Sequence, residues 1–123
     1  MRLIDSNILV LASYANEQQD ACQNVICEGG TISTLALAET FTVLERVVSR
    51  SVAQDAVAAY LRSNVTILDV KVSHVFDAIK RAKKTGLKFF DLIHYTTAIT
   101  AGCTEIVSYD KDFDGLELPR IEP

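Results

Sequence analysis

The sequence predicts an α/β fold with a central, mainly parallel sheet flanked by helices, on two observations. Short apolar, β-branched runs alternate with longer amphipathic ones, the pattern of strands joined by helical crossovers. Helix-starting residues stand just after the apolar runs and glycines just after several amphipathic ones, so a strand hands the chain to a helix.

Arg2 to Ile4 forms a short first strand, and Asp5, Ser6 and Asn7 are three helix-capping residues in a row before Ile8 to Tyr14. Asn16 to Glu28 reads as a second helix stopped by Gly29 and Gly30, and Thr31 to Thr34 as a β-branched strand. From Leu35 to Arg50, the residues Leu37, Phe41, Leu44 and Val48 make one helical stripe, with Glu39 in its first turn. Ser51 is expected to cap a further helix to about Ser63, followed by a strand from Val65 to Val70. Val72, Val75, Phe76, Ile79 and Ala82 give an amphipathic helix ending near Gly86, and Leu87 to Phe90 a loop. Asp91 is expected to open the next helix, with Leu92, Thr96, Ile99 and Cys103 buried; Glu105 to Tyr109 is then a strand that delivers Asp110. Pro119 limits Leu118 to Ile121 to a short edge strand or an irregular segment.

Composition bounds the rest. With 123 residues, 49% hydrophobic, 23% charged and only 5 Gly and 2 Pro, the chain is expected to be one globular domain, residues 1–123. Cys22, Cys27 and Cys103 have no CxxC spacing, so a disulfide framework or zinc cage is disfavoured and all three read as small buried hydrophobes in a reducing cytoplasm. No apolar run approaches the roughly 20 residues of a membrane span, and Asp5 interrupts the start that a signal peptide would need. The expectation is a soluble, unexported protein.

Net charge is 12 minus 16, or −4, which disfavours a nucleic-acid partner only if the charge is spread evenly. It is not. Lys80, Arg81, Lys83, Lys84 and Lys88 make an acid-free basic run, while Asp110, Asp112, Asp114 and Glu117 crowd the C-terminal end. The run reads either as a solvated helix face or as a contact for an RNA backbone.

Asp5 follows the first strand, Glu39 the second, Asp110 a late one, and Asp91 starts a helix. All four are expected at one end of the sheet, where open parallel sheets bind ligands. Four carboxylates together raise one another's pKa unless a counter-charge intervenes, and a hard divalent cation supplies it. Mg²⁺ or Mn²⁺ there suits phosphodiester hydrolysis. Taken singly, each acid is also a good cap, first-turn or turn residue.

These residues resemble a known family. Asp5 in Met-Arg-Leu-Ile-Asp-Ser-Asn-Ile-Leu, Glu39 in Leu-Ala-Leu-Ala-Glu-Thr-Phe, Asp91 in Phe-Asp-Leu-Ile and Asp110 in Val-Ser-Tyr-Asp-Lys-Asp-Phe are similar, in order and spacing, to the PIN domain of VapC-like toxin ribonucleases. The resemblance runs from the first residue to about Leu116. It implies a PIN-like three-layer fold and a Mg²⁺- or Mn²⁺-dependent endoribonuclease, the toxin of a VapBC-type pair, forming a homodimer and inhibited by a VapB-like antitoxin. It makes Asp5 and Asp91 the principal metal ligands and Glu39 and Asp110 the further acids, with Asp112 in reserve for the fourth place. His94 and Tyr95 depart from the small residues common after the third acid. His94 reads as a surface or supporting residue, and His74 as lying on the polar face of another helix. Phe41, Leu44 and Val48, or Val52, Val57 and Tyr60, are candidate walls for an antitoxin groove. The alternative from another class is a catalytically silent binding module whose acids only cap helices.

Overall fold

The computed structural model describes residues 1–123. The chain runs β1 (Arg2–Ile4), α1 (Ser6–Ala12), α2 (Gln19–Glu28), β2 (Thr31–Ser33), α3 (Thr34–Val47), α4 (Arg50–Leu61), β3 (Thr66–Leu68), α5 (Val72–Arg81), α6 (Phe89–Thr100), β4 (Glu105–Val107), a 3₁₀ turn (Lys111–Phe113) and β5 (Arg120–Ile121). All five strands are parallel, in the order β3-β2-β1-β4-β5. The α/β class with a central parallel sheet read from the sequence is therefore the observed one.

Because both faces of the sheet are covered, successive strand residues are buried on opposite sides. Ile4, Ile32 and Val107 pack with Ile8, Leu9, Val25 and Tyr60 on one face. Leu3 and Ile106 pack with Tyr95, Ala98, Phe113 and Leu118 on the other. Gly30 lets β2 close on β1, since a β-carbon there would lie 2.8 Å from Ile4 Cδ1.

Several boundaries differ from those expected, each for a local reason. The first helix ends at Ala12 and the second starts at Gln19, because Asn16 Nδ2 donates to the Leu11 and Tyr14 carbonyls (2.8 and 2.7 Å) and so satisfies the end of α1. Ser33 rather than Leu35 sets the start of α3, its Oγ accepting the Ala36 N–H at 3.0 Å, so Glu39 lies in the second turn and not the first. Ser49 rather than Ser51 caps α4, accepting from Val52 N–H at 3.1 Å, and this register buries Ala53 and Tyr60. The segment expected as a loop contributes the first turn of α6, which begins at Phe89, so Asp91 is its third residue and not its cap. The strands around Val65 and Glu105 are shorter than expected, spanning Thr66–Leu68 and Glu105–Val107, and β5 is the short edge strand that Pro119 permits.

Other expectations fail on burial. His74 is buried and not on a polar face, because its Nδ1 accepts the Lys71 N–H at 2.9 Å and folds the ring over the start of α5. Cys22 and Cys103 are buried, but Cys27 is exposed on the outer side of α2. Leu44 is fully buried where α3 meets α4, so it belongs to the core and not to a groove wall. Val52 and Tyr60 line an apolar groove with Ala12 and Ile26, and none of the four acids reaches it. No helix is long and apolar enough to cross a membrane.

Candidate active site

Chain direction puts the four acids at one edge. Parallel strands end together, so Asp5 after β1 and Ser108 to Asp110 after β4 leave the sheet side by side, and the Asp5 N–H donates to Val107 O at 3.0 Å. The segment α3 carries Glu39 away from the end of β2. Helix α6 must run back against β4, so its first turn, with Asp91, starts at that same edge. This is also where the strand order reverses, between β1 and β4.

Asp5 is 5% exposed and caps α1. Its Oδ1 accepts the Ser6 N–H at 2.8 Å and its Oδ2 accepts the Ser108 hydroxyl at 2.6 Å. Burial pushes its pKa up, opposed by the Ser108 bond. Ser108 is fully buried and in turn accepts from Asn7 Nδ2 (3.1 Å) and the Asp110 N–H (2.9 Å). Asn7 Oδ1, beside it in this network, is buried without a partner, an acceptor left over for something the protein itself does not supply.

On the opposite side His94 is 2% exposed and hydrogen-bonds Glu39 through Nε2 and Ser33 Oγ through Nδ1, the latter at 3.0 Å. The surface alternative for His94 is therefore excluded, because its ring is enclosed and both nitrogens are occupied. Asp91 is half-buried, and its pKa is raised to about 6 by burial first and then by the charge of Asp5, with Asp110 and Glu39 adding to it. The four carboxylates thus act on one another, centred on Asp91. Asp110 caps the 3₁₀ turn by accepting the Asp112 N–H at 2.9 Å, while Asp112 is exposed and adds nothing to the charge felt at Asp91.

Lys88, Phe89, Phe90, Asp91 and Glu39 line one cleft of ≈ 370 Å³. The basic run does not form one helix face. Lys80 and Arg81 end α5 with their charges over the rings of Phe76 and Tyr95 (5.0 and 5.9 Å), Lys83 and Lys84 lie in the following turn, and Lys88 reaches the cleft.

No three of the His, Cys, Asp and Glu residues stand close enough to form a ready-made metal cage. The donor set nonetheless fits a hard divalent cation: all four acids offer oxygen, one of them is pushed towards neutral pH by burial and then by the others, and Mg²⁺ needs only one or two carboxylates directly, with water for the rest. Ser108 and Ser33, which hold the acids, were not singled out by sequence reasoning. The available signal was a small hydroxyl residue at the end of β2 and another just after β4.

The sequence profile of the PIN domain matches residues 2–117. The chain belongs to the PIN domain family. Three solved PIN-fold structures show how closely the architecture is kept. VapC20 of Mycobacterium tuberculosis, a toxin that cleaves the sarcin-ricin loop, superposes with a TM-score of 0.87 at 16% identity over 100% of both chains. VapBC2 of Rickettsia felis, bound to promoter DNA, gives 0.74 at 20% identity, covering 98% of this chain and 97% of that one. DNA-bound VapBC of Salmonella typhimurium gives 0.73 at 16%, covering 98% and 96%. No curated protein matches this PIN domain in sequence.

Proposed function

We propose that this PIN domain is a divalent-metal-dependent endoribonuclease and the toxin of a VapBC-type pair. The observation that carries the reading is that Asp91, half-buried at the switch point of the sheet, has its pKa raised to about 6 by burial first and then by the charges of Asp5, Asp110 and Glu39. Such crowding costs stability unless a cation neutralises it. VapC20, similar over its whole length, cleaves RNA at the sarcin-ricin loop, which supports the same class of reaction here.

Asp5 and Asp91 would hold Mg²⁺ or Mn²⁺, with Glu39 and Asp110 acting directly or through water. When bound there, the cation would supply Lewis-acid chemistry, activating water near neutral pH and offsetting charge on the departing oxygen. The protein does the positioning. Ser108 fixes the Asp5 carboxylate and His94 the Glu39 carboxylate, so neither has to be ordered when substrate arrives. Lys88, at the rim of the cleft, neutralises a phosphate of the RNA.

The structures of VapBC complexes support a VapB-like antitoxin as partner, and the chain is read as a cytoplasmic homodimer of one domain, residues 1–123. An antitoxin Arg or Lys laid on the four acids would neutralise them as the cation does.

The test is cleavage of RNA by the purified protein and by Asp5→Asn, with and without Mn²⁺. Cleavage confined to the wild type with Mn²⁺ is expected, together with an Mn²⁺-dependent rise in its melting temperature. If Mn²⁺ changes neither cleavage nor melting, the acids are helix caps and the chain is a binding module.

A further inference from the structure

Phe89 and Phe90 occupy the two positions before Asp91 and are 41% and 56% exposed. Neither ring joins any of the buried clusters, so core packing does not account for two aromatic residues in succession at the mouth of a carboxylate cleft. They line that cleft together with Lys88, Glu39 and Asp91.

We propose that Phe89 and Phe90 form a base-stacking subsite, which makes them the residues that restrict cleavage to RNA whose bases are unpaired beside the scissile phosphate. The proposal rests on the nuclease reading above and adds to it the residues that hold the substrate. The geometry is one of reach. Both rings line the same cleft as Asp91, so a phosphate held at Asp91 through the cation has its own nucleosides beside them. A phenyl face accepts any base by stacking, and the ammonium of Lys88 at the same rim meets the next phosphate.

With the acids neutralised by a cation, Lys88 is the charge left over in the cleft, which favours RNA over an apolar protein segment. An apolar peptide lying on the rings would strip water from Lys88, Glu39 and Asp91 without pairing them. A nucleotide strand offers a phosphate to Lys88 and stacks on the rings at once. Bases within a duplex are already stacked on each other and present no free face. The subsite therefore selects for loops and single strands without reading a base sequence.

The chain contains no Trp, so Phe90→Trp introduces a single indole whose fluorescence reports stacking. In an Asp5→Asn background, which prevents cleavage, a mixed-sequence oligoribonucleotide of about twelve nucleotides should quench that indole. The same strand annealed into a blunt duplex should not. In cleavage assays with Mn²⁺, Phe89→Ala and Phe90→Ala should each raise KM for the unpaired strand by roughly tenfold, and Phe90→Tyr should restore it while Phe90→Leu should not. Wild-type KM in the double alanine variant, or rescue by Leu as good as by Tyr, overturns the subsite and leaves the nuclease reading standing. A double variant that cleaves normally but loses self-association or its protein inhibitor assigns the rings to a protein interface, and also overturns it. A wild-type protein that neither binds nor cuts RNA with Mn²⁺ overturns the nuclease reading, and the subsite with it.

Discussion

His94 bridges Ser33 and Glu39, two residues that leave the sheet on the same strand-to-helix connection. Ser33 Oγ already accepts the Ala36 N–H at 3.0 Å, so its hydroxyl hydrogen is free for His94 Nδ1, which leaves Nε2–H to donate to Glu39. One ring thereby ties α6 to α3 and aims a site carboxylate. His94→Ala should destabilise the fold by about 1–3 kcal/mol, since it strips a hydrogen-bond partner from buried Ser33 and from Glu39. It should also weaken Mn²⁺ binding about tenfold. His94→Gln, which can still donate to Glu39, should recover much of the metal affinity, as isothermal titration calorimetry would show. Equal loss in both variants would mean that the ring only fills space.

Ser108 holds Asp5 through a 2.6 Å bond and gathers two further donors, Asn7 Nδ2 and the Asp110 N–H. Ser108→Ala should cost about 1–3 kcal/mol in urea unfolding, because buried Asp5 and the half-buried Asn7 and Asp110 each lose a partner. The Ser108 bond also lowers the Asp5 pKa, so its loss should move Mn²⁺ binding to higher pH. Ser108→Thr keeps the hydroxyl and should shift it less.

Asp91 gives the metal-free protein a pH dependence of definite sign. Its pKa is 3.8 in the unfolded chain and about 6 in the folded one. Between those values the folded chain keeps a proton that the unfolded chain has lost. The Asp91 contribution is therefore most favourable below 3.8 and declines as pH rises through about 6, where the ionised carboxylate faces Asp5, Asp110 and Glu39. Asp91→Asn should melt a few degrees higher than wild type at pH 8, with the difference vanishing near pH 4. Mn²⁺ binding to the wild type should release a proton below about pH 6 and tighten as pH rises through that value. A melting difference independent of pH would contradict the coupling.

Lysines of the basic run should differ in effect. Lys88 lines the cleft, whereas Lys83 and Lys84 lie in the turn before it. Neutralising Lys83 and Lys84 together should weaken RNA binding and flatten its dependence on salt, by about one unit of slope for each phosphate that a lysine no longer neutralises. Lys88→Ala should also lower cleavage at saturating RNA. A salt slope unchanged in the paired variant would return Lys83 and Lys84 to a solvated surface.

An antitoxin that occupies the acids should feel their neutralisation. Asp5→Asn and Asp91→Asn should each weaken a co-purified antitoxin, and the complex should cleave RNA more slowly than the free toxin at the same Mn²⁺ concentration. Full cleavage by the complex, or unaltered affinity in both variants, excludes occlusion at this site.

The sequence by itself determined the α/β class, the order of the elements and the placing of Asp5 and Asp110 just after strands. These follow from local periodicity, caps and breakers, which act over a few residues: Gly29 stops α2 and Asp5 caps α1 wherever the rest of the chain lies. Boundaries were less legible, because competing caps such as Ser49 and Ser51 differ only in which register buries Ala53 and Tyr60. Tertiary structure alone decided what each acid touches. Ser108 lies 103 positions from Asp5, and His94 is 55 from Glu39. Pairings at such separations are made by the sheet order β3-β2-β1-β4-β5, and no local signal in the chain encodes them. Whether a carboxylate is a solvated cap or a coupled member of a site depends on burial and on the charges brought beside it, and for Asp91 the like charges come from Asp5, Asp110 and Glu39, far away in sequence.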